Sequence, residues 1–88
     1  MKAMRVTRLE RIHSGDHYTI IAECYQPGFS YPYVEFNDKD IRYAKNTEIR
    51  SIIKKQFETY LGKKLDKLVI PTALMSDLKF HLKYNLTI

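Results

Sequence analysis

The stretch Leu78-Lys79-Phe80-His81-Leu82-Lys83-Tyr84-Asn85-Leu86-Thr87-Ile88 alternates apolar and polar side chains without a break. Successive side chains leave a pleated backbone on opposite faces, so a period of two marks a half-buried strand. The pattern predicts a final strand with Leu78, Phe80, Leu82, Tyr84, Leu86 and Ile88 on its core face. Lys79, His81, Lys83, Asn85 and Thr87 then meet water. Helical spacing would scatter the same apolar residues around a cylinder.

The element that such a strand packs against lies upstream. Between 47 and 61, Ile49, Ile52, Ile53, Phe57, Tyr60 and Leu61 share one face of a helix. Asn46 or Thr47 caps its start, and Glu48 falls in the first turn, where the helix dipole favours negative charge. Gly62 stands where helices end in a left-handed residue, followed by Lys63 and Lys64. Arg50, Lys54, Lys55 and Glu58 line the outer side.

The N-terminal half reads as a meander. Residues 18–25 form a strand with Tyr18, Ile20, Ala22 and Cys24 on one side. Gln26-Pro27-Gly28-Phe29 suits a type II turn, because proline presets the first central φ and glycine permits a positive second one. Residues 31–36 return as a strand with Pro32, Val34 and Phe36 on one face and Tyr31, Tyr33 and Glu35 on the other. Upstream, Ser14-Gly15-Asp16 turns the chain out of residues 3–12. There Met4, Val6 and Ile12 share a parity that Leu9 breaks, which calls for a β-bulge or a short helix. Asn37 to Asp40 is a turn, and Ile41 to Ala44 is a short strand or an irregular lead into the helix. Leu68-Val69-Ile70 is a short apolar run stopped by Pro71, which opens a single helical turn through Met75. The expected fold is therefore α+β: three to five mainly antiparallel strands with one amphipathic helix packed on one face, in a single domain over 1–88.

Length and composition agree with that size. Eighty-eight residues suffice for one modest core. The apolar fraction of 44% and charged fraction of 28% are those of a folded protein. Cys24 is the sole cysteine, so no intrachain disulfide is available, and no apolar run approaches a membrane span. With no signal-peptide pattern at the start, a cytoplasmic setting without membrane contact is expected. The net charge of +5 is uneven. Residues 1–12 and 47–88 have an excess of Lys and Arg, and residues 13–46 an excess of carboxylates.

Motifs for chemistry are sparse. His13, His17 and Cys24 have side chains that hold zinc, but the spacing demands no fourth ligand and the histidines flank a turn, so no metal is expected. Glu35, Asp38 and Asp40 gather carboxylates with Lys39 among them, and Tyr43 stands where a calcium loop needs glycine. No phosphate loop, nucleophile elbow or dinucleotide fingerprint is present. The expectation is a non-enzyme with no cofactor.

The seven tyrosines carry more information. Tyr31 and Tyr33 point away from the helix, and a final strand would add Lys79, His81 and Lys83 to the same open face. Rings beside ammonium groups are how several modules hold single strands, with bases stacked on rings and phosphates met by cations. Arg5, Lys54 and Lys55 extend the basic surface. Binding of nucleic acid through this basic, aromatic sheet face is therefore one expectation. The other is a protein-interaction module, an accessory or inhibitor protein of phage or mobile-element type, with tyrosines as contact anchors to a protein partner or a homodimer.

Over residues 18–62 a strand, the Pro27-Gly28 turn, a second strand and the helix beginning Thr47-Glu48 slightly resemble the partial RNase-H-like domain of HicB-type antitoxins. The stretch from Phe29 to Asn46 is longer than that family's strand and turn, and no DNA-binding motif follows, so the family is not assigned.

Overall fold

A computed structural model of the chain describes residues 3–25 and 33–87. The elements run β1 (Ala3–Ser14), β2 (His17–Tyr25), β3 (Tyr33–Asn37), a 3-10 turn (Asp38–Asp40), α1 (Asn46–Leu61), β4 (Lys67–Val69) and α2 (Thr72–Lys83). The sheet has the order β3-β2-β1-β4. β1/β2 and β2/β3 pair antiparallel, whereas β4 joins β1 in parallel. The α+β class and the covering helix are as expected; the sheet is mixed, and a second helix replaces the final strand.

β1 and β2 meet at a tight turn over Gly15 and Asp16, with Gly15 at φ 64, a conformation that costs glycine little. The bulge expected in residues 3–12 lies between Val6 and Arg8. Its extra residue inverts the parity of everything after it. Met4 and Val6 face the core before the bulge, and Leu9 and Arg11 face it afterwards. Ile12, grouped by sequence with Met4 and Val6, is turned to the other face, where it pairs with Thr19. The residue that takes its place inside is an arginine.

α1 forms where the apolar stripe predicts, burying Ile49, Ile53 and Phe57. The residue before it is Lys45 rather than Asn46 or Thr47; the Lys45 N–H donates to Glu48 Oε1 at 3.3 Å. Gly62 closes the helix at φ 70, and its N–H donates to Glu58 O at 2.9 Å. Between β3 and α1, Ile41 to Ala44 is an irregular lead whose anchor is the buried Ile41.

The final segment overturns the strand expectation. α2 begins after Pro71 and continues past Met75, burying Met75, Leu78 and Leu82 at helical spacing. A helix turns by about 100° per residue, so alternate apolar residues fall into two stripes rather than one. Leu78 and Leu82 continue the line that Leu74 and Met75 start. Phe80 and Tyr84 fall on the opposite side, and both are more than half exposed. The helix closes with Asn85 at φ 56 and the Leu86 N–H donating to His81 O at 2.8 Å.

Both helices share one core with one face of the sheet. Ile20, Ala22, Cys24, Val34 and Phe36 from the strands meet Ile49, Ile53 and Phe57 of α1 and Met75, Leu78 and Leu82 of α2. Each of the larger of these, the Val, Leu, Ile, Met and Phe side chains, contributes about 1.5–3 kcal/mol on burial. None of the described helices is long and apolar enough to cross a membrane.

Candidate functional site

Helical geometry redistributes the residues expected on the open sheet face. Tyr33 lies on the strand side opposite buried Val34 and Phe36, at the sheet edge bordering α1, and carboxylates are its register neighbours. It pairs with Glu23, while Glu35 pairs with Ile21, which in turn pairs with Glu10. Arg5 lies on the same face opposite Tyr25, and Arg8 is engaged by Glu10. Lys79, His81 and Lys83 are on α2, away from Tyr33. Tyr31 and the Pro27-Gly28 turn lie outside the described residues. Lys54 is half-buried on α1, and Lys55 lines a separate hollow with Lys63 and Lys64. The predicted constellation is not assembled on the sheet.

A different surface brings cations and rings together. Arg42 and Tyr43, in the irregular lead before α1, face Lys79, Phe80, Leu82 and Lys83 of α2 across a groove of 510 Å³. Tyr43 is 92% exposed, Phe80 54% and Tyr84 55%. The Phe80 and Tyr84 rings lie 4.8 Å apart, one helical turn from each other. Lys83 Nζ stands 5.4 Å from the centre of the Tyr84 ring. Lys79 Nζ donates to Ala44 O at 3.0 Å, which ties the lead to the helix and leaves the ammonium charge uncompensated. No carboxylate lines the groove among its described residues.

Beneath the groove is a buried charge cluster that sequence reading missed. Arg11, fully buried, donates from Nε to Asp38 Oδ2 at 3.2 Å, with its Nη2 3.1 Å from the same oxygen. Nη1 donates to Leu86 O at 2.9 Å, and Nη2 to Asn85 Oδ1 at 2.7 Å. The guanidinium also stacks over the Tyr18 ring at 3.9 Å. Arg42 Nη1 approaches the same Asp38 oxygen at 3.5 Å. Two guanidiniums thus share one carboxylate, leaving one positive charge in excess beside Lys79 and Lys83. The signal in the sequence was the bulge: shifting parity after Thr7 places Arg11 inside, where its charge requires a partner.

The other candidates come apart. Cys24 pairs with Val6, whereas His13 and His17 flank the hairpin turn at the other end of β2. Seven strand steps separate Cys24 from His17, roughly 23 Å at ordinary strand rise. Burial pushes the Cys24 thiol up to about 12, so it stays protonated and unreactive. Asp38 is committed to Arg11 and stands apart in role from exposed Asp40 and Glu35.

A scan against protein-family models and searches of curated proteins and solved structures found no match for this chain.

Proposed function

We propose that this is a non-catalytic binding protein whose ligand is single-stranded nucleic acid, held in the groove between the Arg42-Tyr43 lead and α2. The observation that carries the reading is exposed Phe80 of α2, lining the groove beside Lys79 and Lys83 and facing Arg42 and Tyr43, with the Tyr84 ring 4.8 Å from it outside the groove lining. Exposed rings supply a surface on which any base stacks, and the cations meet the phosphates between bases. A duplex hides its base faces, so the rings favour an unpaired strand over a paired one. On the open sheet face Arg8 is engaged by Glu10 and lies opposite Glu23, and Glu35 adds a further carboxylate, so that face offers phosphate fewer free cations than the groove does.

Fluorescence anisotropy with labelled single-stranded and duplex oligonucleotides tests the reading. Phe80→Ala is expected to weaken single-strand binding by about 1–3 kcal/mol, the value of one stacked base, and Tyr33→Ala to leave it unchanged. Equal losses from both variants would return the site to the sheet face. Binding by neither strand form would remove the reading.

One observation favours a second reading, a protein-interaction module. A hollow of 440 Å³ is lined by Tyr33, Val34 and Glu35 of the edge strand β3 and by Gln56, Thr59 and Tyr60 of α1. It has two rings and no cation among its described residues, which suits a peptide rather than a polyanion. A stoichiometric protein complex lost on Tyr60→Ser, with Phe80→Ala still competent, would establish it.

A further inference from the structure

The irregular lead that forms one wall of the groove has no ladder hydrogen bonds to set its distance from α2. Its fixed points are the buried Ile41, the Lys79–Ala44 contact, and Asp38 in the 3-10 turn just before it. The other wall ends in Tyr84, Asn85 and Leu86. A single side chain reaches both walls: Arg11 holds Asp38 with Nε and Nη2, and holds Leu86 O and Asn85 Oδ1 with Nη1 and Nη2. Asp38 passes the restraint to Arg42 on the groove surface. We propose that Arg11 is the positioning residue of the groove, setting the separation of the Arg42-Tyr43 wall from α2 so that rings and cations are arranged before ligand arrives. This rests on the single-strand reading for its ligand, but not for its geometry.

The chemistry is specific to arginine. A planar guanidinium presents donors in several directions from one rigid group, which a lysine ammonium on a flexible stem does not reproduce. A buried ion pair is also a poor source of stability, because desolvating both charges offsets much of their attraction. Apolar residues of similar size hold such a site together at least as well. What they do not supply is the directional tie to Leu86 O and Asn85. Arg11 itself touches no groove-lining position that meets phosphate, so its effect must reach the ligand through the two walls.

The test separates positioning from stability. Arg11→Met with Asp38→Leu removes the pair without changing net charge. Spin labels on Lys39→Cys and Ser76→Cys, both exposed positions outside the groove lining, report the distance from the lead to α2. Buried Cys24 leaves labelling to the introduced thiols. The double variant is expected to melt close to the parent, as apolar replacement of buried ion pairs commonly allows. Its interspin distance distribution is expected to broaden. Affinity for a fluorescent oligothymidylate is expected to fall about tenfold, since two wall side chains must then be ordered on binding. The dependence of affinity on salt should keep its slope, because no phosphate contact is lost. A folded double variant with parental distance distribution and parental affinity overturns the proposal. If the double variant fails to fold, Asn85→Gly removes only the amide that Arg11 holds and suits the left-handed backbone there; it must broaden the same distribution, or the proposal fails. If the parent protein binds no oligonucleotide, the single-strand reading is overturned, and the distance measurement alone decides whether Arg11 positions the walls.

Discussion

α1 and α2 are both amphipathic helices on the same core, yet they spend their outer faces differently. α1 buries Ile49, Ile53 and Phe57 and sets Arg50, Lys54, Lys55 and Glu58 around the remaining circumference. α2 buries Met75, Leu78 and Leu82 and then carries a second apolar stripe, Phe80 and Tyr84, opposite the first. The fold needs one stripe per helix. Phe80 and Tyr84 are exposed, lie 4.8 Å apart and have Lys83 beside them, and the proposed binding role of α2 rests on them. At the groove Lys79 and Lys83 of α2 face Arg42 with Asp77 outside the lining, whereas Glu58 of α1 shares its hollow with Lys55, Lys63 and Lys64.

The sharpest way to break the comparison is to attack both faces of each helix. Leu82→Asp is expected to unfold the protein or cost more than about 4 kcal/mol, because it buries a charge without a partner. Phe80→Asp, two residues away, is expected to stay within about 0.5 kcal/mol of the parent by chemical denaturation. A strand would have made those two substitutions equally damaging. Phe57→Ala on the core face of α1 is expected to cost about 3–5 kcal/mol. If Phe80→Ala matched that loss, the outer stripe of α2 would be core and no binding surface would remain.

That first pair of substitutions also shows what could be read from the residues alone. α1 was legible because its stripe, its acidic first turn and Gly62 all agree. The bulge in β1 was legible from Leu9 breaking parity. α2 was not, because Leu78 to Ile88 satisfies two templates: one face of a strand, or two faces of a helix. A window opened at Leu74 rather than Leu78 shows Leu74, Met75, Leu78 and Leu82 at helical spacing, with Pro71 just ahead of the first turn. The site suffered from the same ambiguity. Lys79 and Lys83 were singled out beside Tyr33; in the structure the rings near them are Phe80, Tyr84 and Tyr43 instead. Contacts between residues 11, 38 and 85, far apart in sequence, leave no periodic trace. Only the inverted parity after the bulge pointed to a buried arginine.

A smaller effect checks the core face of the sheet. The Cys24 thiol, its pKa raised by burial to about 12, is expected not to react with a disulfide reagent at about pH 8 until the protein is unfolded, since the thiolate is the reactive form. Rapid reaction of the native protein would place β2 in the wrong register.

The difference between the two helices is tested most directly by measuring oligothymidylate affinity against salt concentration for the parent, Phe80→Ala and Lys83→Ala, each first shown to melt like the parent. The expected result is two distinct signatures. Phe80→Ala moves the log–log line down nearly in parallel by about 1–3 kcal/mol, the loss of a stacked base. Lys83→Ala makes the line shallower by about 0.7, the counterion released per phosphate contact on a single strand. Unchanged lines for both variants, or no binding by the parent at low salt, would contradict the assignment of the α2 groove as the binding site.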